Sequence, residues 1–93
     1  MPAISNKKTV TTAGTAVVLG TGIVNGPIAI KALNTNTGIV TIGNDGAGDV
    51  TTSNGFILLA NEVIIIEFIG VLESLWLDSA VNGEGVTWLH LNV

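Results

Sequence analysis

Along this chain, β-branched and other apolar residues come in short runs separated by Gly, Asn and Asp, and no apolar stripe repeats at the 3.6-residue period of a helix. The pattern predicts strands over residues 8–13, 15–19, 28–33, 39–42, 55–59, 63–69, 72–77 and 85–91, with helix limited to a single turn. Runs at this spacing suit an all-β fold, a small antiparallel β-sandwich or jelly-roll-like barrel. Asn25-Gly26, Asp45-Gly46, Asn54-Gly55 and Asn82-Gly83 are turn dipeptides that accept positive φ, and Leu58-Leu59-Ala60-Asn61-Glu62 reads as a tight corner. One domain is expected over residues 15–93. Before it lies a polar, threonine-rich arm, residues 1–14, suited to add as an edge strand to a neighbour through backbone hydrogen bonds.

The faces of these strands say more than their positions. Ile28, Ile30 and Ala32 share one face and Lys31 marks the wet side, which is ordinary half-buried alternation. Residues 63–69 differ: Ile64, Ile66 and Phe68 form one apolar face, while Val63, Ile65 and Ile69 nearly form a second, opposed only by Glu67. The last strand likewise sets Leu89 and Leu91 against Val86, Trp88 and His90. A strand that is apolar on both faces requires cover on both. One such face is therefore expected against another subunit, with Val63, Ile65, Ile69, Trp76 and Trp88 as the contact residues.

Composition sharpens this picture. In 93 residues, 47% are hydrophobic and only 11% charged, with a mean hydropathy of +0.65, which is high for so small a chain and again calls for a covered apolar surface. With no cysteine, disulfides and thiolate metal sites are excluded. The net charge of −4, from three lysines, no arginine and seven carboxylates, argues against a nucleic-acid partner. Residues 56–77 are the most apolar, yet Asn61, Glu62, Glu67 and Glu73 interrupt them, so no membrane span is expected. The N-terminus lacks the apolar core of a secretory signal, and synthesis in the cytoplasm is the expectation.

Candidate chemistry is sparse. Asp45 and Asp49 beside Asn44 resemble a carboxylate loop, but the calcium-loop spacing fails, with Phe56 where a bidentate Glu belongs; at most a weak surface cation site is expected. Gly46-Ala47-Gly48 lacks the following glycine and helix of a phosphate cradle. His90 is the single histidine, without Cys, Asp or Glu at ligand spacing, and none of the four serines sits in a nucleophile-elbow context. Glu67 and Glu73 read as separate exposed carboxylates rather than an acid/base pair. Trp76 and Trp88 lie among leucines, which favours core or subunit contact over a sugar platform. No catalytic residue, cofactor or metal is expected, and the chain does not read as an enzyme.

Taken in order, Ile30-Lys31-Ala32-Leu33, Asn36-Thr37-Gly38-Ile39-Val40, Ile42-Gly43, Ser53-Asn54-Gly55, Leu58-Leu59, residues 63–68, Leu75-Trp76-Leu77 and Val86-Thr87-Trp88-Leu89 resemble the small all-β structural proteins of tailed bacteriophage particles. In those proteins N-T-G-x-[IV]-x-[IV]-G precedes a G-x-x-L corner and a final strand bearing Trp or Tyr. The likeness covers residues 28–91, with Ala60-Asn61 where many relatives have Pro-Gly. It implies a virion component: a capsid decoration (cement) protein, trimeric by analogy, bound to the major capsid protein on the capsid surface. The alternatives are a tail, neck or head-fibre accessory protein, or a small glycan-binding module.

Overall fold

The computed structural model describes residues 3–24, 26–44, 49–67 and 70–91. The fold is all-β and antiparallel. Ten strands are found among the described residues: β1 (Ala3–Thr9), β2 (Val17–Val18), β3 (Ile23–Val24), β4 (Ile28–Ala32), β5 (Val40–Gly43), β6 (Phe56–Leu58), β7 (Val63–Ile66), β8 (Gly70–Val71), β9 (Trp76–Ser79) and β10 (Gly85–Leu91). A single 3-10 turn, Leu72–Ser74, is the helical content among them.

Two four-stranded sheets make the body of the molecule. The first runs β1-β10-β4-β7, the second β2-β9-β5-β6, and β3 and β8 form a separate two-stranded ribbon. Val86, Trp88, Ile28, Ile30 and Ala32 from the first sheet join Val40, Ile42, Leu58 and Leu77 from the second in one apolar core, closed by Val10, Leu19, Val24, Leu72 and Leu75. Alternation explains this: β4 and β10 are flanked on both sides by strands, so every second residue faces the opposite sheet.

The second sheet is covered in part on its outer face as well, although Ile57, in register with Thr41, stays exposed. Thr41 and Asp78, opposite each other in register, are fully buried there. The hydroxyl of Thr41 donates to the Thr51 carbonyl, and Val50 is buried with them. Asp78 Oδ1 accepts from Gly14 N at 3.0 Å and from Ser79 N at 2.8 Å. Residues 49–55 are thus a lid held by its own turn, in which Thr51 Oγ1 accepts from the Ser53 and Asn54 amides.

Several elements depart from the sequence pattern. The first strand lies at Ala3–Thr9 rather than 8–13, because seven consecutive rungs tie it to β10, from Ala3 opposite Leu91 to Thr9 opposite Gly85. Most of the arm is thus an edge strand of its own chain's first sheet, paired with β10 on one side. Residues 72–77 divide into the 3-10 turn and the start of β9, since Leu75 N bonds back to the Leu72 carbonyl. Ile23 opposite Val71 forms a ribbon too short to leave a sequence signal. The corner after β6 appears where expected, with Asn61 at φ 69, Glu62 N on the Leu59 carbonyl and Leu59 N on Glu62 Oε1.

Candidate interaction surface

The outer face of the first sheet is an uncovered surface built in cross-strand rows. Antiparallel register places Lys7 (β1), Thr87 (β10), Lys31 (β4) and Val63 (β7) in one row. The next row is Ser5, Leu89, Ala29 and Ile65. On β10, β4 and β7 these residues alternate with ones that pack on the core, so the inward placement of Trp88, Ile30 and Ile64 forces Leu89, Lys31 and Ile65 outward. Ile65 is 66% exposed, Val63 54% and Leu89 45%. An apolar patch on an ordered sheet is thus flanked by Lys7 and Lys31, two of the chain's three lysines. Beside this row lies an open depression of about 190 Å³, lined by Lys31, Leu33, Asn34, Asn61 and Thr87.

The expected contact residues are distributed by this register. Val63 and Ile65 lie on the exposed face. Ile69 lies outside the described residues, as do Asp45 and residues 46–48 of the supposed cation and phosphate loop. Trp76 is half-buried on the outer face of the second sheet, beside Val18 and Gly43. Trp88 is corrected from contact residue to core residue: it is 5% exposed, because β10 is an interior strand and its Trp88 face looks onto the second sheet. Leu89 takes its place outside. Its signal was present in the sequence as the residue sharing parity with Leu91, but only its register with Ala29 and Ile65 identifies that side as open.

The titratable residues have structural surroundings. His90 is 2% exposed and stacks on Trp88, with ring centroids 5.9 Å apart and planes 13° from parallel. Asp49 Oδ2 accepts from Asn44 N at 2.8 Å, and Glu73 Oε1 accepts from Gly22 N at 3.2 Å. Among the described residues, no group of three or more His, Asp or Glu is placed to hold a metal ion, and no helix is long and apolar enough to cross a membrane.

Glu84 shows what the N-T-G motif does. Its carboxylate receives Gly38 N at 3.0 Å, Thr37 N at 2.7 Å and the Thr37 hydroxyl at 2.9 Å. The Asn36 amide, buried beneath, donates to the Gly85 carbonyl and accepts from Gly85 N, as a strand would. The Gly38 amide, then that of Thr37, stabilises the ionised form and holds Glu84 below the ordinary value of 4.5. A group whose pKa is lowered on folding contributes stability above its unfolded value, and the contribution disappears as pH falls through the folded value. Urea titrations should therefore show stability declining as pH drops below 4.5, with Glu84→Gln flattening part of that decline. An unchanged acid slope in the variant would refute this role for Glu84.

No protein-family model matches this chain, and searches of curated proteins and of solved structures return no match.

Proposed function

We propose that this chain is a structural binding protein, not an enzyme, that docks through the outer face of its first sheet. The reading rests chiefly on one observation: Val63, Ile65 and Leu89 stand exposed on regular strands whose opposite side packs on the core. Contiguous apolar residues on an ordered surface are the mark of a protein contact. Together with the resemblance to bacteriophage structural proteins, this face fits a decoration protein on the outside of a capsid, made in the host cytoplasm and bound to the major capsid protein. A protein that binds only the assembled shell stabilises it by mass action. The glycan alternative loses its two-ring platform, since Trp88 is in the core.

Quantitative mass spectrometry of gradient-purified particles tests the location. A copy number at a simple fraction of the major shell protein is expected; a handful of copies would assign the chain to neck or tail, and absence would overturn the virion reading. The face is tested by Leu89→Asp, which should leave the melting temperature nearly unchanged and weaken particle binding by at least about tenfold. Undiminished binding would eliminate this surface.

A further inference from the structure

The two edges of the first sheet are protected very differently. β1 carries Asn6, Lys7 and Lys8 at its centre, the kind of charged sequence that discourages strand addition. β7, at the other edge, reads Val-Ile-Ile-Ile, with no charge, proline or bulge within it. Its inward residues Ile64 and Ile66 pack on the core yet remain half-exposed, because among the described residues no strand lies beyond them. Across the corner, the edge strand of the second sheet and the residue that follows it add exposed Phe56, Ile57 and Leu59. Among the described residues, five of the nine exposed large hydrophobics, these three with Val63 and Ile65, therefore lie at this one pair of edges.

The backbone shows which groups are open. Ala32 N donates to the Glu62 carbonyl at 2.9 Å. Antiparallel ladders alternate, so Ile64 and Ile66 direct their N–H and C=O groups toward β4, and those of Val63 and Ile65 point off the free edge.

We infer that β7 is a self-association edge, where the β7 strand of a second copy pairs antiparallel about Ile65 to make one continuous eight-stranded sheet. This two-fold pairing replaces the three-fold assembly implied by the resemblance. Self-pairing suits the sequence: with Ile65 opposite its own counterpart, Ile64 meets Ile66, and β-branched residues pair well across strands. The side chains also keep their faces, as an isologous contact requires. One residue further, Glu67 of one copy falls opposite Val63 of the other, at the end of the row that holds Lys31 and Lys7. That charge complementarity favours a second copy of this chain over an unrelated strand. The pairing lies in the plane of the sheet, so it leaves Leu89 free and sets two outer faces side by side.

Two measurements on the full chain decide it. Sedimentation equilibrium should give a dimer, and hydrogen exchange read residue by residue should show the Val63 and Ile65 amides gaining protection as concentration rises. Ile64 and Ile66 should be protected throughout. A monomer at every concentration, a trimer, or a dimer whose Val63 and Ile65 amides exchange freely would each overturn the proposal. Ile65→Pro removes an outward N–H without touching the ladder to β4, and is expected to weaken dimerisation roughly thirtyfold or more. A folded Ile65→Pro protein that dimerises as before would also refute it. Should that variant fail to fold, exchange in the unmodified chain gives the answer. These readouts are independent of particle binding, so the two proposals stand or fall separately.

Discussion

Gly85→Ala is expected to destabilise the protein by about 3 kcal/mol, the upper part of the usual range for overpacking. A Cβ at this position would lie 2.0 Å from the Lys8 carbonyl oxygen and 2.7 Å from Thr9 Cα. Both are backbone atoms, so no rotamer change relieves the clash. β1 would have to move away from β10, opening the rungs Lys8 opposite Val86 and Thr9 opposite Gly85. The bonds from Val10 N to the Glu84 carbonyl and from Gly83 N to the Val10 carbonyl, 2.8 and 2.7 Å, would be strained with them. For a chain of this size the loss corresponds to a fall of roughly 12–24 °C in melting temperature. Gly83→Ala is the matched control. Gly83 sits at φ +81 with open space around it, so its substitution carries only the left-handed backbone penalty, about 1–2 kcal/mol. If urea denaturation ranked the two variants equally, the close approach of β1 to β10 would be wrong.

Ile30→Ala should lower stability by about 2–5 kcal/mol, whereas Ile65→Ala on a neighbouring strand should change monomer stability by less than about 0.5 kcal/mol. Ile30 is fully buried at the centre of the first sheet, between Trp88 and Ile64 in register. Removing its side chain subtracts transfer free energy and leaves a cavity that the flanking strands cannot close. Small domains hold only about 5–15 kcal/mol in total, so the Ile30 variant should be close to unfolding at physiological temperature. Ile65 is 66% exposed and loses little in the monomer. Thermal melts of both, at concentrations where self-association is absent, test the assignment of inner and outer faces. A large loss at Ile65 with a small one at Ile30 would mean that the faces are reversed.

Much of this was legible along the chain. The two-residue alternation at Ile28, Ile30 and Ala32 marks a strand with one buried face, and Lys31 labels its wet side. Asn54-Gly55 and Asn82-Gly83 are turns because Gly55 and Gly83 take positive φ. The second apolar face at Val63 and Ile65 was also readable, since four consecutive β-branched residues leave no polar side to a strand.

Other features were not readable, for definite reasons. Residues 3–9 are polar because an edge strand with a wet outer face needs little apolar patterning, and only pairing along the length of β10 makes them a strand. Residues 49–55 read as a loop, but the burial of Thr41 beneath them depends on its hydroxyl bonding to the Thr51 carbonyl, and that of Asp78 on the amide of Gly14, distant in the chain. Trp88 and Leu89 are adjacent and both bulky and apolar. Local sequence cannot say which of them faces the core.

Local sequence thus determined an all-β chain, its turns and the alternation within its strands, because backbone preference and side-chain period act over a few residues. Tertiary structure decided which face of each strand is closed, which edge is left open and where the lysines gather. Those outcomes depend on register between strands far apart in the chain, where a shift of one residue exchanges core for surface.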